Sequence, residues 1–455
     1  MSITSSVGSA NNTAGLGQGI DVEALVTATL SGDQANITQL QNRQSTFTSQ
    51  VTTLQKITAE LTDLQSQAFA LADPLGGITA LSAVSSNSSF VSATASASAL
   101  AGTHTITVTS LATTSSYYSD AVASSTTPLA QATGAFQISV AGNTPVSIDI
   151  TSTNNTLAGL AATINNTPNI GVTASIITDA NGARLALVSN TSGAPGNLTI
   201  TGNFALANNT AINFHQGVGG VNAALTVDGV PISTSTKIVS GVINGVTLNL
   251  GSAAPNSPVT LTISPDTSKA SDSINQFVSA YNTVIKDINA QFAVNFDGSG
   301  GGPLEADGSV REAQSTLLSA LTSSISGNNG ITSLASLGVN FNNDGTLSVD
   351  SAKLTSALSN QSANVQTFLQ APSTGFAEKF ASAITNLIDP GNGVLGLDSQ
   401  GITRSSQALS QQISDLQAAL STKQQNLILV YSQVNATLQE LPLLQSQISQ
   451  QLASA

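Results

Sequence analysis

The chain has 455 residues, enough for about three domains, with 24 acidic against 11 basic side chains, a formal net charge of −13 and a pI near 4.2. That balance excludes a sequence-independent grip on nucleic acid phosphate or anionic lipid. Only 8% of residues are charged, while 40% are hydrophobic, so neutral Ser, Thr, Asn and Gln replace the missing charges and the chain is too apolar for compositional disorder.

The chain contains no cysteine, which removes disulfides, thiolate metal sites and cysteine nucleophiles. The start, residues 1–19, has neither a basic n-region nor an apolar h-region, and no stretch approaches the roughly 18 apolar residues of a membrane span. Neither general secretion through a cleaved leader nor membrane insertion is therefore expected. The composition suits an extracellular polymer subunit exported by another route.

Asp21 is placed as the N-cap of a helix whose stripe is Val22, Leu25, Val26 and Leu30. Ser31, Gly32 and Asp33 are expected to interrupt it. A second helical segment carries Leu40, Phe47, Leu54 and Leu61 at intervals of seven, with Ile57, Leu64 and Leu71 offset by three, until Asp73 and Pro74 stop it.

From 78 to 265 the period changes to two. Ile106 and Val108, then Phe136, Ile138 and Val140, then Val146, Ile148 and Ile150 alternate with polar residues, as half-buried strands do. Antiparallel sheet is expected, with a hairpin at Asn181-Gly182, another at Asn244-Gly245 between Val242 and residues 246–250, and a short helix over 157–164.

Helical spacing returns from Ser268 with Ile274, Phe277, Val278, Tyr281, Val284, Ile285 and Ile288, followed by helices near 309–324 and 351–369. The C-terminal segment has the clearest repeat. Ile413, Leu420, Leu427, Val434, Leu441 and Ile448 are consecutive a positions, with Leu409, Leu416, Val430 and Leu444 among the d positions. Lys423, Thr437 and Gln451 are polar d positions, and Pro442 predicts a kink or a fresh helix start near Leu441.

These elements define an α+β, multidomain fold in which terminal helices pair as a coiled-coil-like leg and β-rich head domains are inserted between them. The expected division is 1–38 and 425–455 as terminal helices disordered until assembly, 39–77 and 267–424 as a helical leg, 78–132 and 216–266 as a first β-rich head domain, and 133–215 as a second. Leu40, Leu54, Leu61, Leu416, Leu420 and Leu427 form the expected leg core. Val22, Leu25, Val26, Leu30, Val434, Leu441, Leu444 and Ile448 are left to contact other chains.

Catalytic chemistry is not visible. His104 sits in a strand pattern and His215 beside a glycine loop, and no HExxH, GxSxG or P-loop pattern occurs. Gly15, Gly17 and Gly19 lack both the third glycine of a dinucleotide fingerprint and a preceding strand. Asn340, Asn342, Asp344 and Gly345 match positions 1, 3, 5 and 6 of a calcium loop, but position 12 is Ser351, so Asp344-Gly345 is read as a hairpin turn.

Several segments, in order, resemble the flagellar filament cap protein family, also called hook-associated protein 2. Near the N-terminus these are Gly15-Leu-Gly-Gln-Gly-Ile-Asp21, Phe90-Val-Ser-Ala-Thr-Ala-Ser96 and Ala101-Gly-Thr-His-Thr-Ile-Thr-Val108. Thr156-Leu-Ala-Gly-Leu-Ala-Ala-Thr-Ile-Asn165, Gly171-Val-Thr-Ala-Ser175 and Gly182-Ala-Arg-Leu-Ala-Leu187 are similar to the repeat shared by flagellins and hook-associated proteins. The C-terminal half contributes Leu225-Thr-Val-Asp-Gly229, Asp266-Thr-Ser268, Phe277-Val-Ser-Ala-Tyr-Asn282, Leu337-Gly-Val339, Asp344-Gly-Thr-Leu-Ser348 and Lys353-Leu354.

The resemblance implies a ring-like homo-oligomer of about five copies at the filament tip, with terminal helices as legs and β-rich heads as a plate under which exported flagellin folds and is inserted. It implies flagellin, hook–filament junction proteins and a cytoplasmic export chaperone as partners, and type III export without a cleaved leader. It implies no catalytic residues and no cofactor. The alternatives are a tip-located adhesin for glycans or host surfaces, which would need clustered aromatics along a groove, and another axial subunit, which the segments from 225 to 354 disfavour.

Overall fold

The computed structural model describes residues 20–293, 301–325, 328 and 330–453. The glycines at 15, 17 and 19 and the opening segment lie outside these residues. The chain divides into two compact units. One comprises Met1–Phe69, Asn275–Asp350 and Phe368–Ala455, the other Ala70–Ile274 and Ser351–Thr367.

In chain order, helix α1 (Val22–Ala72) is followed by β1 (Leu81–Ser85), β2 (Val91–Ala95), β3 (Gly102–Ser110), β4 (Thr114–Ser119), β5 (Ala132–Val140) and β6 (Val146–Ile150). After α2 (Leu157–Asn166) come β7 (Val172–Asp179), β8 (Gly182–Ser192), β9 (Leu198–Gly202), β10 (Phe204–Ala205), β11 (Ala211–Ile212) and β12 (Phe214–Val218). The sheet region closes with β13 (Ala223–Val227), β14 (Val230–Thr234), β15 (Ile238–Ser240), β16 (Val246–Leu250) and β17 (Val259–Pro265). Then follow α3 (Thr267–Phe292), α4 (Gly308–Leu321), β18 (Val339–Phe341), β19 (Leu347–Val349), α5 (Ser351–Asn360), α6 (Ser362–Gln370), α7 (Phe376–Ile388) and α8 (Val394–Ala453).

Helix α1 starts where the cap residue places it, since Asp21 Oδ1 accepts from Ala24 N at 2.9 Å. It then runs without a break through Ser31, Gly32 and Asp33, contrary to the expected interruption. One glycine costs a helix only about 1 kcal/mol relative to alanine, and buried Leu30 and Ile37 on either side continue the same stripe. Helix α8 likewise runs through Pro442, so no new start occurs near Leu441. The carbonyl that loses its donor to the missing proline N–H belongs to exposed Leu438 and can turn to water.

The β-rich unit holds two cores, each built by alternation. The first lies between a five-stranded sheet ordered β1-β17-β3-β13-β14 and a three-stranded sheet ordered β15-β16-β2. Ile106, Val108, Leu225, Leu261 and Leu248 face inward, and every pairing is antiparallel. The second lies between β12-β4-β8-β7 and β6-β5-β9, with α2 adding Leu157, Leu160 and Ile164 and with Phe136, Phe204 and Phe214 in mutual ring contact. Val122, Leu129 and Tyr117 join this second core, although the expected range 78–132 assigns them to the first. β4 pairs with β8 and β12, and that pairing carries the following residues with it.

The hairpin between β7 and β8 forms as expected, but its two turn residues are Ala180 and Asn181, one position earlier than expected, and Gly182 already pairs with Asp179 as the first residue of β8. Gly182 has φ +125°, and a Cβ there would collide with the carbonyl oxygen of Val122. The Asn244-Gly245 hairpin differs from expectation. Its first strand is β15, paired Ser240 to Thr247, and Val242 lies in the connecting loop.

In the helical unit, α3, α7 and their neighbours enclose a ring cluster of Phe277, Phe368, Phe376 and Phe380, all buried. The Asp344-Gly345 turn joins β18 to β19. It is docked on α3 by Tyr281 Oη to Gly345 O (3.1 Å), Asn289 Nδ2 to Asp344 O (2.8 Å) and a two-way exchange between Asn282 and Leu347. Asp344 Oδ1 accepts from both the backbone N–H and the hydroxyl of Thr346, bonds that hold its carboxyl below the usual range. This carboxylate closes a turn.

Candidate assembly surface

Helices α1 and α8 run antiparallel, because contacts at rising numbers on α1 meet falling numbers on α8. Ile20 N donates to Asn435 Oδ1 at 2.9 Å, the Thr29 and Tyr431 hydroxyls lie 3.3 Å apart, and Lys423 Nζ donates to Asp33 Oδ2 at 2.7 Å. Beyond them Ile37, Leu409 and Ile413 are buried together, with Leu40, Phe47, Leu416 and Leu420 packed around them. The polar d-position Lys423 therefore has a partner across the seam. A single oppositely charged pair fixes register while adding little stability when exposed.

The six expected leg-core residues occupy two environments. Leu40, Leu416 and Leu420 line the α1–α8 seam, and Leu427, half-buried, lies outside its apolar cluster. Leu54 and Leu61 have no exposed surface, but this stretch of α1 is bonded elsewhere. Lys56 pairs with Asp287 of α3, and Gln65 Nε2 donates to Thr385 Oγ1 of α7 at 2.7 Å. A heptad stripe reports that one face of a helix is covered; it does not say by which neighbour. A 51-residue helix is about 76 Å long, enough to meet several.

The eight residues assigned to assembly also divide. Val26 and Leu30 are buried within the single chain, at 3% and 7% exposure, and Val22 is half-buried. They belong to the chain's own packing. Leu25, Val434, Leu441, Leu444 and Ile448 are exposed. Sequence spacing passed over Leu429, Leu438 and Leu443, of which Leu429 is 64% and Leu443 66% exposed, and the d-position Val430 and Leu452 are exposed as well. The signal was present in the runs 427–430 and 441–444, but a heptad template keeps only one row of a helix that is apolar over more of its circumference.

Past the Asn435 bond, α8 continues to Ala453, 18 residues or about 27 Å. Between Gln424 and Ala453 the only charged residue is Glu440. A partner would meet alternating Leu, Ile, Val, Gln and Ser, a surface that gains by excluding water and carries almost no field for salt to screen.

Neither histidine has the surroundings of a general base beside a nucleophile. His104 Nδ1 lies 2.7 Å from Asp228 Oδ2, whose other oxygen accepts from Thr105 N. His215 Nε2 lies 2.7 Å from Asp120 Oδ1, while Asp120 Oδ2 accepts from Asn213 N. These bonds, chiefly from His104 for Asp228 and from the Asn213 N–H for Asp120, hold both carboxyls below the usual aspartate range. The pairs clip β3 to the β13–β14 turn and the end of β4 to β12. Among the described residues no group of three or more His, Asp or Glu could hold a metal ion, and no helix is long and apolar enough to cross a membrane.

Family comparison supplies an independent line. The chain matches the profile of the flagellar hook-associated protein 2 N-terminus over 18–115 and that of its C-terminus over 220–442. It is 31% identical over 444 residues to the B-type flagellar hook-associated protein 2 of Pseudomonas aeruginosa, covering 92% of this chain and 93% of that one. To the Escherichia coli K12 flagellar hook-associated protein 2 it is 28% identical over 412 residues, covering 86% and 87% respectively. Among solved structures, the D1-D2-D3 domains of the Escherichia coli flagellar cap protein FliD match with a TM-score of 0.60 at 29% identity, covering 77% of this chain and 99% of that one.

Proposed function

We propose that this chain, which belongs to the flagellar hook-associated protein 2 family, works as a filament cap: an oligomer at the flagellar tip that promotes folding and insertion of exported flagellin. The observation that carries this reading is the far half of α8, an apolar surface with Glu440 as its one charge, which among the described residues extends beyond the last bond to the N-terminal segment. A monomer has no use for such a surface, and burying a row of Leu, Ile and Val against other chains returns about 25 cal/mol per Å² of apolar area. Residues 425–453, with exposed Leu25, serve contacts with the filament. The seam around Ile413 and the core around Phe376 hold the leg, and the two β cores form the head.

The remaining partners are a ring of about five copies, hook–filament junction proteins and a cytoplasmic export chaperone, with export by the flagellar type III route. The action is mechanical, without a reacting side chain. The adhesin alternative gains no support, because the two phenylalanine clusters are spent in cores and line no groove.

Deleting the gene and assaying filaments on cells together with flagellin in the medium tests the proposal. Cells without filaments that release unpolymerised flagellin, rescued by the intact gene and not by one truncated after Thr422, are the expected result. Normal filaments on the deleted strain would refute it.

A further inference from the structure

The first turns of α8 are joined to the N-terminus of α4 by a three-residue contact whose hydrogens can be counted. Asp307 caps α4, its Oδ1 accepting from Ser309 N at 2.8 Å and Val310 N at 3.3 Å. The Ser309 hydroxyl lies 2.6 Å from that same Oδ1 and 3.1 Å from Asp398 Oδ2 on α8. A hydroxyl has one hydrogen. With both carboxyls ionised, Ser309 satisfies one and leaves the other facing a lone pair and a second negative charge. With one proton on Asp398 every group is paired: Asp398 donates to Ser309 Oγ, and Ser309 donates to the Asp307 carboxylate.

We propose that Asp398, Ser309 and Asp307 form a proton-dependent clasp that fixes the root of α8 on α4 and loosens when Asp398 ionises. Partial burial, and then the nearby Asp307, push the Asp398 carboxyl above the usual aspartate range. Among the described residues no cation pairs with Asp398. Arg311 of α4 is bonded to Glu305 O and lies over the Phe292 ring, and Arg404 of α8 is bonded to Gln400. Asp389, before α8, accepts from Gly391 N and Asn392 N. Glu378 of α7 accepts from Ser373 N. Among the described residues Glu305, Glu312 and Lys379 bond neither carboxyl, and no ion pair includes Asp307 or Asp398. A group whose native pKa is raised gives stability that is complete below its unfolded value, 3.8 here, and lost as pH rises through the native one. The clasp is therefore closed in acid and open toward neutral pH. The long helix that carries the proposed assembly surface is held more loosely at its root near neutral pH than in acid.

The full chain, labelled with carboxyl-¹³C aspartate, is titrated by NMR, the Asp398 resonance being the one absent from Asp398→Asn. Hydrogen exchange is followed in parallel over residues 394–400. The expected midpoint for Asp398 is above 3.8, and the protection of 394–400, corrected for intrinsic exchange, falls by up to about tenfold per pH unit between the two values. In Asp398→Asn that dependence should flatten. Ser309→Ala should lower protection below the midpoint and leave it unchanged above. An ordinary midpoint, an unaltered slope in Asp398→Asn, or an equal loss on both sides of the midpoint in Ser309→Ala would each overturn the clasp.

Discussion

Leu441→Asp separates assembly from folding. Leu441 is 53% exposed in the single chain, so the substitution forfeits about half of the roughly 2 kcal/mol that full burial of a leucine returns, plus about 0.5 kcal/mol of helix propensity. The position is 12 residues from the end of α8 at Ala453, too far for the helix dipole to add much. The total of about 1.5 kcal/mol falls on a helical extension remote from the buried cluster of Ile37, Leu409 and Ile413. Circular dichroism should therefore show native helicity and an unchanged main melting transition. A charge in the middle of an apolar contact costs several kcal/mol when another chain covers it, so cells carrying the variant should lack filaments and shed flagellin. Ile413→Asp is the matched control. At 6% exposure it buries a charge inside the chain and should depress the melting transition itself. Filaments of normal length with Leu441→Asp would remove α8 from the assembly surface, and a globally unfolded Leu441→Asp monomer would refute the division between seam and surface.

Four further outcomes follow from individual contacts. Leu61→Ala, at a site with no exposed surface, should cost about 2–5 kcal/mol in denaturant unfolding of the helical unit. Gly32→Ala should stabilise α1 by about 1 kcal/mol, since an added Cβ meets nothing within 4 Å; destabilisation would show that α1 needs flexibility at this point. Asn165→Ala removes the bonds by which one side chain occupies both backbone groups of Ala174 on the edge strand β7, each 2.8 Å. It should cost about 1–3 kcal/mol and promote concentration-dependent association through the freed edge, measured by light scattering. Burial, and then Asp287, push the Glu60 carboxyl up to about 7, so its contribution is complete below pH 4.5 and lost as pH rises through 7. Glu60→Gln should reduce the fall in stability across that window without removing it, because Asp398 shifts in the same direction; an unchanged slope would exclude Glu60 as its source.

What the sequence could show was periodicity, and periodicity is a property of one element. The alternation at Ile106 and Val108, the α3 stripe from Ile274 to Ile288 and the turns before Gly182 and at Gly345 follow from local chemistry and are present. Helix α7 went unexpected. Its apolar face takes in Phe376, Ala377, Phe380, Ala381, Ile384 and Leu387, so wide that no heptad row marks it, and it is short. The expected helix at 351–369 is two, α5 and α6, separated at Gln361. The misjudged break at Gly32 has a long-range cause: a local propensity of about 1 kcal/mol decides a helix end only when no distant contact opposes it, and Leu30, Ile37 and the Asp33–Lys423 pair lie beyond the reach of a local pattern. At Pro442 the new start does not occur, because the helix continues through it.

The partition of the apolar residues is where sequence reading ended. Val26 and Leu441 look alike in a heptad template, yet one is 3% and the other 53% exposed. Val26 faces inward where α1 and α8 pair, whereas Leu441 lies past Asn435, the last residue of α8 bonded to the N-terminal segment among the described residues. A surface left over in this way has a consequence for how it binds. With Glu440 as the one charge between 424 and 453, this stretch of α8 has little charge to steer it over distance or to form ion pairs with a partner. Binding to filament ends should then change little between low and moderate salt, since there is almost no Coulombic attraction for ions to screen. It should also show a negative heat-capacity change from apolar burial. Calorimetry of the full chain with filament fragments at two ionic strengths distinguishes the cases: a steep loss of affinity with added salt would mean that charged groups of the β-rich unit, not α8, make the contact.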